Sequence, residues 1–154
     1  MTKMTKAELL SFYRAMNTLG NATGAKFSYA VTRNLNALKG EVDAIQSALN
    51  PTEKFTEYDN KRVALAKEHS KKDEQGKPLI EGNQYVVEDT FDVAFEALKE
   101  EYKEEIDARQ KQIEDYQALL DEEIEVDIFV LSQENLPDTI SVAQVNALFP
   151  MIKE

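Results

Sequence analysis

From Phe91 to Leu120 the side chains Phe91, Phe95, Leu98, Tyr102, Ile106, Arg109, Ile113, Tyr116 and Leu120 recur with gaps of 4-3-4-4-3-4-3-4. Arg109 is the single departure from an otherwise apolar or aromatic stripe. This is the period of an α-helix, and no other stretch of the chain sustains it for so long. It predicts one helix over about 90–121, roughly 48 Å long at about 1.5 Å per residue. The two successive gaps of four around Tyr102 and Ile106 form a stutter, where left-handed supercoiling relaxes. The stripe is narrow, so a helix carrying it must cover it with an antiparallel or oligomeric partner.

Shorter signals surround it. "TKAE" puts the Thr5 hydroxyl three residues before Glu8, a capping box that opens a helix over about 5–19. "LGNATG" closes it and reads as a turn between helices, with Gly20 suited to a left-handed cap. Phe27, Val31, Leu35, Leu38, Val42, Ile45 and Leu49 then mark a helix over about 25–49, stopped at Asn50–Pro51. A third helix is expected over about 52–72, with Phe55, Tyr58, Arg62, Leu65 and His69 on one side. "KPLIEGNQYVVED" reads as a β-hairpin within about 78–88, and "EIEVDIFVL" alternates as a half-buried strand within about 123–131. A Ser141–Gln144 capping box opens a closing helix over about 141–149. The expected fold is therefore mainly α: an antiparallel long-helix bundle or coiled coil, with a short β-hairpin and one further strand, in a single helical domain over 1–154.

Charge is unevenly laid out along the 154 residues. Through Gly40, Lys3, Lys6, Arg14, Lys26, Arg33 and Lys39 face Glu8 alone, a balance of +5, whereas the whole chain carries −11. From Glu88 to Asp127, sixteen acids stand against Lys99, Lys103, Arg109 and Lys111, a balance of −12. So acidic a chain is not expected to track a phosphate backbone, so no direct nucleic-acid contact is expected. Its acidic run is either a solvated helix face or a mimic of nucleic acid toward a basic partner. No apolar run reaches the roughly 18–20 residues of a membrane span, and no export signal is expected at the N-terminus.

The chain has no cysteine, which removes thiol chemistry, disulfides and thiolate metal sites. His69 is the only histidine; Ala66 and Leu65 stand three and four residues before it, so the Glu-x-x-His pair of di-metal helical bundles is missing. No nucleophile–base frame is suggested by spacing. The carboxylates at Glu100, Glu101, Glu104 and Glu105 fall off the apolar stripe and read as solvated. The chain is expected not to be an enzyme and to need no cofactor or metal. The binding candidates are Lys26, Tyr29, Arg33 and Asn34, in a basic stretch poor in acids. The first three share one helical stripe beside the Phe27–Val31–Leu35 seam. This stripe either pairs inside the molecule or between subunits with the acidic helix, or meets a protein partner or a small anionic ligand.

Three stretches, "GAKFSYAVTRNLNAL", "YVVEDTFDVAFEALKEEYKEEID" and "EVDIFVLSQENLPDTISVAQVNALFPMI", together resemble small helical proteins of unassigned function from tailed bacteriophages. The resemblance runs loosely from about Leu9 to Ile152 and consists of packing patterns, with no catalytic motif. It implies a non-enzymatic phage accessory or assembly protein, in the bacterial host cytoplasm or the virion. Such a protein would act through helical contacts with protein partners or as a homo-oligomer. The alternative within the same setting is an inhibitor of a host defence protein, working by acidic mimicry or by capturing a small anion.

Overall fold

In the computed structural model, which describes residues 1–154, the first helix is fixed by the reciprocal hydrogen bonds that its sequence encodes. A short strand β1 (Thr2–Thr5) leads into α1 (Lys6–Asn17). There the Glu8 amide donates to Thr5 Oγ1 at 3.1 Å and the Thr5 amide donates to Glu8 Oε2 at 2.7 Å. Two of the amides that a helix start leaves without partners are thereby satisfied. The chain then runs through α2 (Ala25–Ser47), α3 (Glu53–Glu68), β2 (Ile80–Glu81), β3 (Gln84–Tyr85), α4 (Thr90–Glu101) and α5 (Lys103–Asp121). It ends with β4 (Glu123–Val126), β5 (Leu131–Ser132), α6 (Val142–Leu148) and β6 (Ile152–Lys153). The fold is mainly helical with a few short strands. It forms two compact units, Met1–Leu49 with Asp115–Glu154, and Asn50–Glu114.

The first unit packs α1 against α2 and α6. Leu9, Phe12 and Met16 from α1 meet Phe27, Ala30, Leu38, Val42 and Ile45 from α2 in one buried cluster with Leu148 and Met151. The α2 seam is the one its apolar spacing predicts, except that Asn34 takes the fully buried place while Leu35 is only half-buried. Strand β1 was not foreseeable as such, because "TKMT" offers no alternation. It pairs antiparallel with β4, Thr2 opposite Val126 and Thr5 opposite Glu123. Ion pairs Lys3–Glu123 and Lys6–Glu122, both at 2.6 Å, flank that ladder.

The strand expected over about 123–131 is two strands. Pairing to β1 ends at Val126, and β5 begins at Leu131, pairing in parallel with β6. Between them the alternation fails: Ile128 and Leu131 are buried, while Val130 is 47% exposed. The reason lies in α2. The Asn34 side-chain amide donates to the Phe129 carbonyl at 3.0 Å, and its Oδ1 accepts from the Phe129 N–H at 2.7 Å. A carboxamide thus presents to Phe129 the donor and acceptor that a neighbouring strand would present.

The second unit has a smaller centre, in which Tyr58 of α3 packs with Leu98 and Tyr102, helped by Phe55, Leu65, Phe95 and Ile106. α3 stops at Glu68, short of the expected 72, because His69 through Lys72 join a small β arrangement. Lys71 and Glu88 donate to the Val86 and His69 carbonyls, and Val86 to that of Leu79, tying three short segments together. The hairpin lies where its sequence places it, turning at Gly82, whose φ of +61° suits glycine. The expected helix over about 90–121 is interrupted at Tyr102, where φ is −108° and ψ is 23°, within the stutter. The seam is therefore carried by α4 and α5 as separate helices.

Replacing Asn34 by leucine keeps the side chain's size and leaves the Phe129 N–H and C=O without partners. Urea unfolding should show a loss of about 2–4 kcal/mol; a loss under about 0.5 kcal/mol would show that the pairing does not hold this segment.

Candidate functional site

The four candidate residues stand on the first three turns of α2. Gly24 precedes it with φ of +128°, a conformation that side-chain-bearing residues avoid, and no side chain caps the helix start. Phe27, Ala30 and Val31 face the core, which turns Lys26, Tyr29 and Arg33 outward. The structure brings three of the four candidates to a residue that the sequence reading did not single out, Phe129. Tyr29 meets its ring edge-on, with centroids 5.7 Å apart and planes at 88°. The Arg33 guanidinium lies 4.6 Å from its centroid, a cation–π contact of about 0.5–1 kcal/mol at an exposed position. Asn34 holds its backbone, as described above. Asn34 is fully buried and belongs to the fold, whereas Tyr29 remains 59% exposed.

Beside Tyr29 and Phe129 lies an open groove of about 400 Å³. Lys26, Val130, Ser132 and Asn135 complete the parts of its wall that matter for chemistry. Lys26 is its only charged side chain. Nothing in the sequence pattern marks Ser132, at the end of β5, or Asn135, in the short helical turn that follows it.

The cations of this face are not taken up by the acidic part of the chain. Ion pairs between the basic N-terminal stretch and the acidic run use Lys3 and Lys6, and Lys39 pairs locally with Asp43. Lys26 and Arg33 are in no ion pair. The arrangement offers an aromatic surface, a free ammonium and two polar side chains. It can bind and orient an anion, but it presents no nucleophile poised beside a base.

Other polar contacts lie away from this groove. His69 closes α3 and its Nδ1 lies 2.9 Å from Thr90 Oγ1. No group of three or more His, Cys, Asp or Glu side chains is placed to hold a metal ion. In the second unit, Lys61 Nζ donates to the Tyr102 hydroxyl at 2.6 Å, and that hydroxyl donates to Glu57 at 2.8 Å. The bond from Tyr102, then that from Lys61, holds the Glu57 carboxyl below its usual range. The bonds to Tyr102 and then Glu57 push Lys61 above the ordinary lysine range. No helix is long and apolar enough to cross a membrane. No protein-family model, curated protein or solved structure matches the chain.

Because Glu57 is held low, its contribution to stability is present above the free-carboxyl range and is lost as pH falls through the lowered value. Lys61, held high, contributes below the ordinary lysine range and loses that contribution only in strong base, so at neutral pH both act. Tyr102→Phe removes the bridging hydroxyl. Its melting temperature should fall below the parent's near pH 7, and the gap should narrow toward about pH 3. Circular-dichroism melts across that range check this; a gap independent of pH would refute it.

Proposed function

We propose that this chain works by contact rather than by reaction, as a non-enzymatic accessory or assembly protein of a tailed bacteriophage. The observation that supports it is the Lys26–Tyr29–Arg33 face of α2, with its two cations unpaired in an acidic chain and an exposed aromatic beside them. Such a face suits carboxylates of a protein partner or of another copy, since an acidic surface brings the countercharges that this molecule withholds from it. Helix α5 adds a second contact surface. It fully buries no residue, and Ile113 and Tyr116 stay half-buried along its seam. Tyr116 and Leu120 pack against the first unit's cluster and Ile106 against the second's, while half-buried Ile113 leaves seam surface that suits a partner helix in a bundle or coiled coil within an oligomer.

A second reading, inhibition of a host protein by acidic mimicry, is favoured by one observation. Glu100, Glu104 and Asp107 are exposed and enter no ion pair, leaving a field of negative charge on α4 and α5.

The double reversal Lys26→Glu with Arg33→Glu discriminates. The variant should stay folded, its stability lower by about 1 kcal/mol at most from the lost Arg33–Phe129 contact. In pull-downs from infected or expressing cells, followed by mass spectrometry, it should lose the partner that the parent recovers; light scattering should show any loss of self-association. Undiminished recovery of the partner and unchanged assembly would overturn the assignment of this face.

A further inference from the structure

The groove beside Phe129 has a composition that a flat protein contact does not require. At about 400 Å³ it falls within the size range of small-molecule pockets, which run from about 300 to 1,000 Å³. A stable protein interface instead covers on the order of 800 Å² per partner. Its apolar surface comes from Ala25, Tyr29, Phe129, Val130 and Leu131, two of them aromatic. Around that surface stand four polar side-chain groups: the Lys26 ammonium, the Tyr29 hydroxyl, the Ser132 hydroxyl and the Asn135 amide. None of the four makes a hydrogen bond or ion pair within the chain, and no carboxylate lines the groove.

Position adds to composition. Asn34 clamps the Phe129 backbone from the core, and the Arg33 guanidinium lies over the Phe129 ring. Tyr29 sits edge-on to it, so the two rings offer surfaces roughly at right angles. An aromatic ligand could stack on one and meet the other edge-on, the favoured geometry for such groups. Lys26, one helical turn before Tyr29 on the same side of α2, would receive the ligand's anionic end. Asn135 provides a donor and an acceptor, and Ser132 both in one group, which suits the edge of a heterocycle.

We infer that this groove is a binding site for a small planar aromatic anion: a ring that stacks on Tyr29 and Phe129, joined to one carboxylate or phosphate held by Lys26. Two sources share this chemistry, a nucleoside monophosphate and an aromatic carboxylate. The inference shares with the proposed function only the premise that this face of α2 binds something.

Isothermal titration with the full chain tests it, using adenosine monophosphate, indole-3-acetate, their neutral counterparts adenosine and indole, and inorganic phosphate. At least one of the two anions should bind, and its neutral counterpart should bind about tenfold more weakly. Inorganic phosphate alone should give no measurable binding. Lys26→Glu and Tyr29→Ala alter exposed side chains and should each weaken binding about tenfold; Lys67→Glu, on the exposed side of α3, should leave it unchanged. Binding of the nucleotide alone, of the carboxylate alone, or of both identifies the source and supports the inference in each case. Absence of binding by both anions overturns it, as does phosphate binding as tightly as the nucleotide, or a Lys67→Glu effect equal to that of Lys26→Glu. If the aromatic anions fail while the Lys26→Glu, Arg33→Glu variant loses its protein partner, the groove inference falls and the contact function stands. If they bind while no partner is lost, the reverse holds.

Discussion

A single buried carboxamide organises the first unit. Asn34 is fully buried on α2 and exchanges two hydrogen bonds with the backbone of Phe129. Burying a polar side chain is unfavourable unless its hydrogen bonds are made, and here donor and acceptor both are. Because the bonds run to main chain, they fix the position of a segment rather than of a side chain. The chain between β4 and β5 has no strand partner at Phe129, and Asn34 takes that partner's role. With the backbone held there, the Phe129 ring is presented to Tyr29 and Arg33. The aromatic groove is thus a consequence of an interior contact.

Charge distribution follows a related logic. An acidic chain could neutralise its few cations internally, yet the acidic run reaches the N-terminal segment through Lys3 and Lys6. Those contacts form where β1 lies beside β4, since strand pairing already places the side chains together. The cations at Lys26 and Arg33 lie on a helix surface whose neighbours contribute rings and amides instead of carboxylates. Their fields remain available at short range, within the screening distance of about 8–10 Å at ordinary salt.

The second unit shows how a small centre can be supplemented at its edge. Its cluster of buried side chains is limited to Tyr58, Leu98 and Tyr102. Two of the three are tyrosines, whose hydroxyls need partners when the rings are buried. Tyr102 finds them in Lys61 and Glu57 across to α3, and it does so at the residue where α4 gives way to α5. The stutter in the apolar spacing and this polar bridge coincide at one position.

What the sequence determined by itself was local. Helix starts at Thr5 and Ser141, the α2 seam, the Gly82 hairpin and the position of the disturbance in the long stripe are all set by neighbours within about four residues, the range of helical and turn hydrogen bonds. Lys26, Tyr29 and Arg33 were legible as one stripe for the same reason. Tertiary structure alone decided the rest. Strand β1 exists because β4, more than a hundred residues away, supplies its hydrogen bonds. Asn34 reads as a surface polar residue until Phe129, ninety-five positions along the chain, turns it into a core residue. The groove likewise joins α2 to a segment that has no periodic pattern of its own. Pairings across such separations depend on where the folded backbone brings two groups together, and no local spacing records that.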